Sequence, residues 1–249
     1  MNKISFVSSP VSEILADAVS SSNMIGDSIK CFPVFDFIVT ATFLKMTGCL
    51  EQKIQAIRWE LATNNHEYRR YILSNGISDC SSYKDKNEVF KQIAIELRSL
   101  SLSEEYIVNQ IDYLSAIKQE LIAIFKKSSL INIMPRSYME FEIIIDELIN
   151  DSEKYNLFNI KGINVPLFGE KKISILGKNK FQFIFENYVY RRRNQIAHNT
   201  KINLQNLPLI KTMNDENFKY DNYFVFFAIL MLIDKIFIDM FQVYNENIY

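Results

Sequence analysis

The sequence lacks an excess of charge of either sign. Its 249 residues include 28 Lys and Arg against 29 Asp and Glu, for a formal net charge of -1. A protein that coats nucleic acid without specificity carries a large positive charge, so any nucleic-acid contact in this chain must be local. Because 48% of the residues are apolar and 23% are charged, the chain can bury a substantial core.

Cysteine is scarce. The chain contains Cys31, Cys49 and Cys80, an odd number with wide spacing and no CxxC pair. This excludes a disulfide framework and a zinc knuckle and favours a reducing compartment. There is also no cluster of Asp, Glu or Cys with metal-ligand spacing, so we expect neither a metal site nor a cofactor.

Long hydrophobic runs are missing as well. The N-terminus reaches Ser8, Ser9 and Pro10 before any adequate apolar run, which makes a poor signal peptide. The longest apolar stretch, residues 223–233, is followed at once by Asp234 and falls short of the roughly 20 residues that cross a bilayer. It is typical of a buried core helix, and we expect a cytoplasmic protein without membrane association. The alternative for so aromatic a helix is a position in a membrane interface.

Hydrophobic periodicity is helical throughout, and strand-like alternation is scarce, so the sequence predicts an all-α fold. After Pro33, apolar residues at helical spacing predict one long helix that ends at Asn64 and Asn65. Three further helices are predicted by capping-box spacings ahead of apolar periodic runs, at Asp85/Glu88, Ser101/Glu104 and Ser137/Glu140.

Glycine and proline interrupt the pattern between Asp151 and Lys180, which predicts a loop with at most a short hairpin. The next helix should run from about 179 to 197, and a final helix from about 219 to 244 after a connection that contains Pro208. Residues 1–33 are predicted to form an N-terminal arm or appended helix, and residues 34–249 a single helical domain.

The predicted helix at 179–197 has two distinct faces when projected at about 100° per residue. Its core side gathers Phe181, Ile184, Phe185, Tyr188, Val189 and Ile196. A second side carries Asn187, Arg191, Asn194 and His198. Most polar stripes are simply solvated, but this one holds an arginine, two amides and a histidine without lysine or glutamate. That composition suits phosphate binding.

The run RRRNQIAH, Arg191 to His198, resembles the signature of the HEPN superfamily, an arginine followed by a polar residue and then a histidine a few positions later. It is most similar to bacterial HEPN ribonucleases of the RiboL-PSP type. Arg193, Asn194 and His198 match the arginine, polar and histidine positions. The resemblance implies a HEPN-like helical bundle over residues 34–249, to which residues 1–33 would be an N-terminal extension. An irregular loop or short hairpin would precede the motif helix, which is the helix predicted at about 179–197.

The resemblance further implies a metal-independent endoribonuclease, as in toxin-antitoxin and antiviral defence systems. Such cleavage uses the 2′-OH of the RNA as nucleophile, with a base, an acid and positive donors for the phosphorane. His198 suits proton transfer, and an arginine fork suits phosphate oxygens. We expect Arg193, Asn194 and His198 to be catalytic. Substrate binding is assigned to Arg191, Asn187 and Tyr190.

One chain supplies only one motif histidine, so a homodimer through the motif helix would provide separate acid and base. The helical projection leaves the main phosphate ligand open. Arg193 lies about 140° from His198, whereas Arg191 lies within about 20° of it. Either the helix is distorted at its end, or Arg193 reaches across the dimer cleft while Arg191 serves its own subunit. Arg192 projects toward the apolar side and is expected to form an interhelical ion pair.

Two other functional classes remain open at this point. One is a non-catalytic HEPN adaptor that binds RNA, a nucleotide or a partner protein through the same face. The other is a purely structural helical dimer. The expected partners of the enzyme are RNA, a second copy of the chain, and an antitoxin or another regulatory protein. Elsewhere in the chain, the exposed face of a helix is favoured over RNA binding for Arg69 and Arg70, and a cap or surface position for His66.

Overall fold

The computed structural model describes residues 3–25, 29–76, 78–100, 110–126, 128–151, 158, 180–198 and 219–248. Helices make up 88% of these residues, and none of them lies in a β-strand. The predicted all-α class is therefore confirmed. The predicted loop or hairpin before the motif helix and the connection around Pro208 lie outside the described residues, except for Phe158.

Two short helices, α1 (Lys3–Ser8) and α2 (Ser12–Ser22), open the described chain. Both pack against the long helix that follows, and the apolar residues that they and their connection bury are Val7, Val11, Leu15 and Val19. The connection is held by a buried ion pair. Lys53 Nζ lies 2.7 Å from Asp234 Oδ1 and donates to the carbonyl of Ser9, while the Val11 amide donates to Asp234 Oδ2 at 2.7 Å.

Helix α3 (Phe32–Asn64) confirms the long helix predicted after Pro33, which stands in its first turn. Asn65 ends it with an extended backbone and then caps α4 (His66–Asn75), because its side chain accepts a hydrogen bond from the Tyr68 amide. Arg69 folds back to donate to the carbonyls of Ala62 and Thr63, which satisfies two C-terminal acceptors of α3.

Helix α5 (Tyr83–Ser99) begins two residues before Asp85, the first residue of the predicted capping box with Glu88. Its N-cap is Ser82, whose hydroxyl accepts from the Asp85 amide and donates to the Asp85 carboxylate. The box is thus Ser82 with Asp85, and the prediction that Asp85 is the cap was wrong. Helix α6 spans Gln110–Phe125. The proposed cap of that helix, Ser101 with Glu104, lies outside the described residues.

Helices α7 (Ser129–Ile133) and α8 (Pro135–Asp151) follow in direct succession. Ser137 was predicted as the cap of α8, but the helix begins two residues earlier at Pro135, since proline is well suited to the first turn. The apolar residues predicted for α8 are all buried: Phe141, Ile144, Ile145 and Leu148.

The motif helix is described from Lys180 to His198, close to its predicted bounds, in three parts. They are α9 (Lys180–Ile184), a π-helical segment (Phe185–Tyr190) and α10 (Arg191–His198). Helix α11 (Tyr223–Ile248) begins four residues later than predicted, because Asn222 accepts from the Phe224 amide and thereby caps it.

Helix α11 is the centre of the bundle and packs against α3, α5, α6 and α8. Its run from Phe224 to Asp234 is buried without interruption, which confirms the prediction of a core helix. Among the residues described, α3 is the one helix whose length and composition alone would also suit a membrane span. Core helices of folded proteins meet the same criterion, and one face of α3 is buried in the bundle from Phe35 to Ala62.

Candidate functional site

The motif helix changes its winding immediately before the arginine run. Residues Phe185–Tyr190 form π-type hydrogen bonds, and the chain returns to regular α-helix at Arg191. A uniform projection of 100° per residue fails across a π-helical segment, because each π turn holds more residues than an α turn. The 100° projection therefore does not give the angle between Asn187, which lies in this segment, and Arg191. The exposed amide of Asn187 donates back to the carbonyl of Phe183 at 2.9 Å. π-helical turns within α-helices are frequent at functional sites.

Within α10 the winding is regular, so the predicted relation among Arg191, Asn194 and His198 holds there. These positions are separated by three and four residues and share one face of the helix. His198 is the last residue of α10, and only its backbone is described. Arg191 is exposed and makes no hydrogen bond or ion pair with any described residue.

Arg193 faces α3 of its own chain. Its Nη2 atom lies 2.8 Å from Glu51 Oε2, and the two side chains are 24% and 12% exposed. Its Nη1 atom donates to Asn194 Oδ1 at 3.1 Å. The sequence left two explanations for the angle between Arg193 and His198. In the single subunit the helix is regular from Arg191 to His198, its distortion lies before Arg191, and the Arg193 guanidinium is bound to Glu51 of the same chain.

Arg192 packs against α11. Its Nε atom donates to the hydroxyl of Tyr223 at 3.2 Å, and the guanidinium lies over the Tyr223 ring at 5.6 Å from the ring centroid. The same hydroxyl is 3.0 Å from Thr40 Oγ1 of α3. An interhelical role was predicted correctly, but the partner is a phenol and not a carboxylate. Arg192 and Arg193 are thus both bound by neighbouring helices.

A small cavity lies beneath the motif helix. Its volume is about 10 Å³, and its polar walls are Glu51, Ser81, Lys86, Tyr190 and Arg193. This is the space of about one water molecule. The cavity is too small to admit a nucleotide. Tyr190, predicted to bind substrate, is half-buried and lines this cavity.

Lys86 supports the π-helical segment from below. Its ammonium donates to the carbonyls of Cys80 at 2.6 Å and Ser81 at 2.7 Å, and lies 5.1 Å from the centroid of the Phe185 ring. Burial lowers the pKa of Lys86 to about 8, although the nearby carboxylate of Glu51 opposes that shift. Hydrogen bonding from Ser81 lowers the pKa of Asp79, and the charge of Arg193 acts in the same direction. The carboxylates of Glu51 and Asp79 therefore both act on the guanidinium of Arg193.

Arg69 and His66 are among the other residues that the sequence raised as possible RNA contacts. Arg69 is committed to the carbonyls at the end of α3, and Tyr68 beside it is buried. His66 is 74% exposed and lies 3.8 Å from the neighbouring Glu67. Over the described ranges, no group of three or more His, Cys, Asp or Glu side chains is arranged to hold a metal ion.

Sequence reasoning missed Glu51 and Lys86. One feature of the sequence could have indicated Glu51: it stands next to the buried positions of α3, which include Thr47, Leu50 and Ile54. A carboxylate next to an apolar stripe needs a partner, but periodicity does not identify one that lies 142 positions away. Lys86 falls on the apolar face of the first turn of α5, where a charged residue gives the same kind of signal.

The fold and the site together define an all-α helical protein with a polar, arginine-bearing helix on its surface. The chain matches no protein-family model, and neither a curated protein nor a solved structure shows significant similarity to it.

Proposed function

We propose that this protein is a HEPN-type, metal-independent endoribonuclease that acts as a homodimer, as a toxin or an antiviral defence effector. The observation that carries the proposal is the different environment of the three consecutive arginines. Arg192 is held by Tyr223 and Arg193 by Glu51, whereas Arg191 is exposed and has no partner among the described residues. Arg191 is thus the exposed arginine of the three, and it lies on the helix face that also carries Asn194 and His198.

Arg191 is the main phosphate ligand in this proposal. A guanidinium offers two parallel donors that match two oxygens of a phosphodiester. On a regular helix Arg191 and His198 lie within about 20° of each other and about 10 Å apart along the axis. The long arginine side chain can reach along the helix to a phosphate beside the imidazole. Arg193 contributes to the site through its contact with Asn194.

The chemistry requires no group beyond the side chains and the RNA. A base takes the proton of the 2′-OH, and the resulting oxyanion attacks the adjacent phosphorus. Arg191 stabilises the charge on the phosphorane. The bond to the 5′-oxygen then breaks, and an acid gives that oxygen a proton. The products are a 2′,3′-cyclic phosphate and a 5′-hydroxyl.

Base and acid would be the two copies of His198 in a dimer. An imidazole ionises near neutral pH, so one copy can accept a proton while the other donates one. A two-fold axis beside α10 would bring both copies, and both copies of Arg191, to one RNA strand. The exposed position of Arg191 is compatible with such a shared cleft.

Cleavage of a fluorescent single-stranded RNA in EDTA tests the proposal, with the wild type compared to His198→Ala and Arg191→Ala. We expect losses of roughly 10²- to 10³-fold for Arg191→Ala and at least 10²-fold for His198→Ala. Arg136→Ala is the matched control, because Arg136 is an exposed arginine on α8. Light scattering should show a dimer for all four proteins. If wild type and His198→Ala leave RNA equally intact while both are folded dimers, the protein is not this enzyme, and RNA that is bound but uncut would identify an adaptor.

A further inference from the structure

Glu51 connects α3 to the motif helix through an ion pair with Arg193. Its carboxylate is largely shielded from solvent and lies 2.8 Å from the guanidinium of Arg193. Shielding matters here because fully exposed ion pairs have little hold on two flexible side chains. Asp79 supplies a second negative charge near the same guanidinium, and Lys86 lies near Glu51. The orientation of Arg193 is thereby fixed from the α3 side.

Arg193 in turn fixes Asn194. A guanidinium can only donate hydrogen bonds, so the amide atom of Asn194 that faces Arg193 at 3.1 Å must be the oxygen. The NH₂ group of the same amide then points away from Arg193, and it donates a hydrogen bond to none of the residues that the structure describes. Asn194 follows Arg191 by three residues and precedes His198 by four, so its Cα lies on their face of α10. An amide without such a partner could turn either its oxygen or its nitrogen toward a ligand.

We infer that Glu51 is a positioning residue which, through Arg193, holds the Asn194 amide with its NH₂ group presented to the scissile phosphate or to His198. The inference rests on the proposed ribonuclease activity. A donor that is already oriented does not have to be ordered during the reaction, which favours the transition state. Glu51 itself touches neither the RNA nor the imidazole, and its effect passes entirely through the neighbouring guanidinium and amide.

Removal of the charge of Glu51 should lower turnover more than binding. For Glu51→Gln we expect kcat to fall roughly 10- to 100-fold with KM changed little, because the geometry of one transition-state donor is lost while the phosphate ligand Arg191 remains. Glu51→Asp keeps the charge on a shorter side chain and should recover part of the loss. Glu60→Gln is the matched control, since Glu60 also lies on α3 and forms an ion pair, with Lys3 at 2.7 Å.

The decisive experiment places Glu51→Gln in an Asn194→Ala background and measures steady-state RNA cleavage in EDTA. If Glu51 acts through the amide, the double variant is no slower than Asn194→Ala alone. Affinity for an RNA with a 2′-deoxy group at the scissile position should be the same for wild type and Glu51→Gln. Thermal melting establishes that each variant is folded, and Glu51→Asp serves as the test if Glu51→Gln unfolds.

Three outcomes would overturn the inference, and they can be told apart. Full activity of Glu51→Gln would refute a positioning role and leave the ribonuclease proposal intact. A further loss on adding Glu51→Gln to Asn194→Ala would show that Glu51 acts by another route. Wild-type protein that leaves RNA intact would refute the ribonuclease proposal itself, and the role of Glu51 in it.

Discussion

The buried pair of Lys53 and Asp234 permits a quantitative test of how the bundle is held together. Both side chains are nearly inaccessible, at 2% and 3% exposed, and the carboxylate also accepts the Val11 amide. In Asp234→Asn the ammonium loses its counter-charge, and one amide oxygen must replace two carboxylate oxygens. Removing one partner of a buried ion pair costs about 3 to 5 kcal/mol. For a chain of this length that corresponds to a fall in Tm of roughly 6 to 20 °C.

Urea unfolding at neutral pH measures the effect as a change in the free energy of unfolding. Glu140→Gln is the control, because it breaks an exposed pair with Arg136 and should change stability by no more than about 0.5 kcal/mol. Adding Lys53→Met to Asp234→Asn removes the uncompensated charge, so the double variant should regain at least about 1 kcal/mol. The reasoning is refuted if Asp234→Asn is as stable as the wild type, or if Lys53→Met lowers the stability of Asp234→Asn further.

Two further predictions concern α5. Burial lowers the pKa of Lys86 from 10.5 in the unfolded chain to about 8 in the folded protein. Between about pH 8 and pH 10.5 the unfolded state therefore binds more protons than the folded state, so the free energy of unfolding should rise with pH in that range. Relative to Lys86→Met, wild type should gain about 2 kcal/mol between about pH 7.5 and about pH 9.5 in urea unfolding, and a pH-independent difference would contradict the shift. Loss of the N-cap in Ser82→Ala should cost about 1 kcal/mol in the same assay, with the exposed Ser99→Ala as a near-neutral control. Equal stabilities of these two serine variants would argue against the cap.

Hydrophobic spacing was sufficient to predict the main helices. The apolar positions of α3, α8 and α11 repeat at helical intervals, and burial of one face is the main force that forms such helices. Helix starts were predicted less well, because several side chains near a start can serve as a cap. Asp85 and Ser82 both have suitable spacing, and the structure uses Ser82. Asn222 similarly displaced the start of α11, through a bond that only the folded backbone defines.

In the candidate site, only the relations between residues close together in the sequence could be predicted. Residues on one stretch of regular helix have fixed relations, so the common face of Arg191, Asn194 and His198 follows from their spacing. The π-helical segment does not follow from spacing, since its sequence FENYVY keeps an ordinary helical pattern of apolar residues. The partner of Arg193 also could not be predicted, because α3 and the motif helix meet only in the folded bundle.

The central place of α11 has a consequence for synthesis of the protein. Helices α3, α5, α6 and α8 all leave the ribosome before the helix against which they pack, and so does the Val11 amide that Asp234 binds. Until α11 emerges, the nascent chain carries several apolar faces with no surface to cover them. We expect folding to be completed only after translation of that helix.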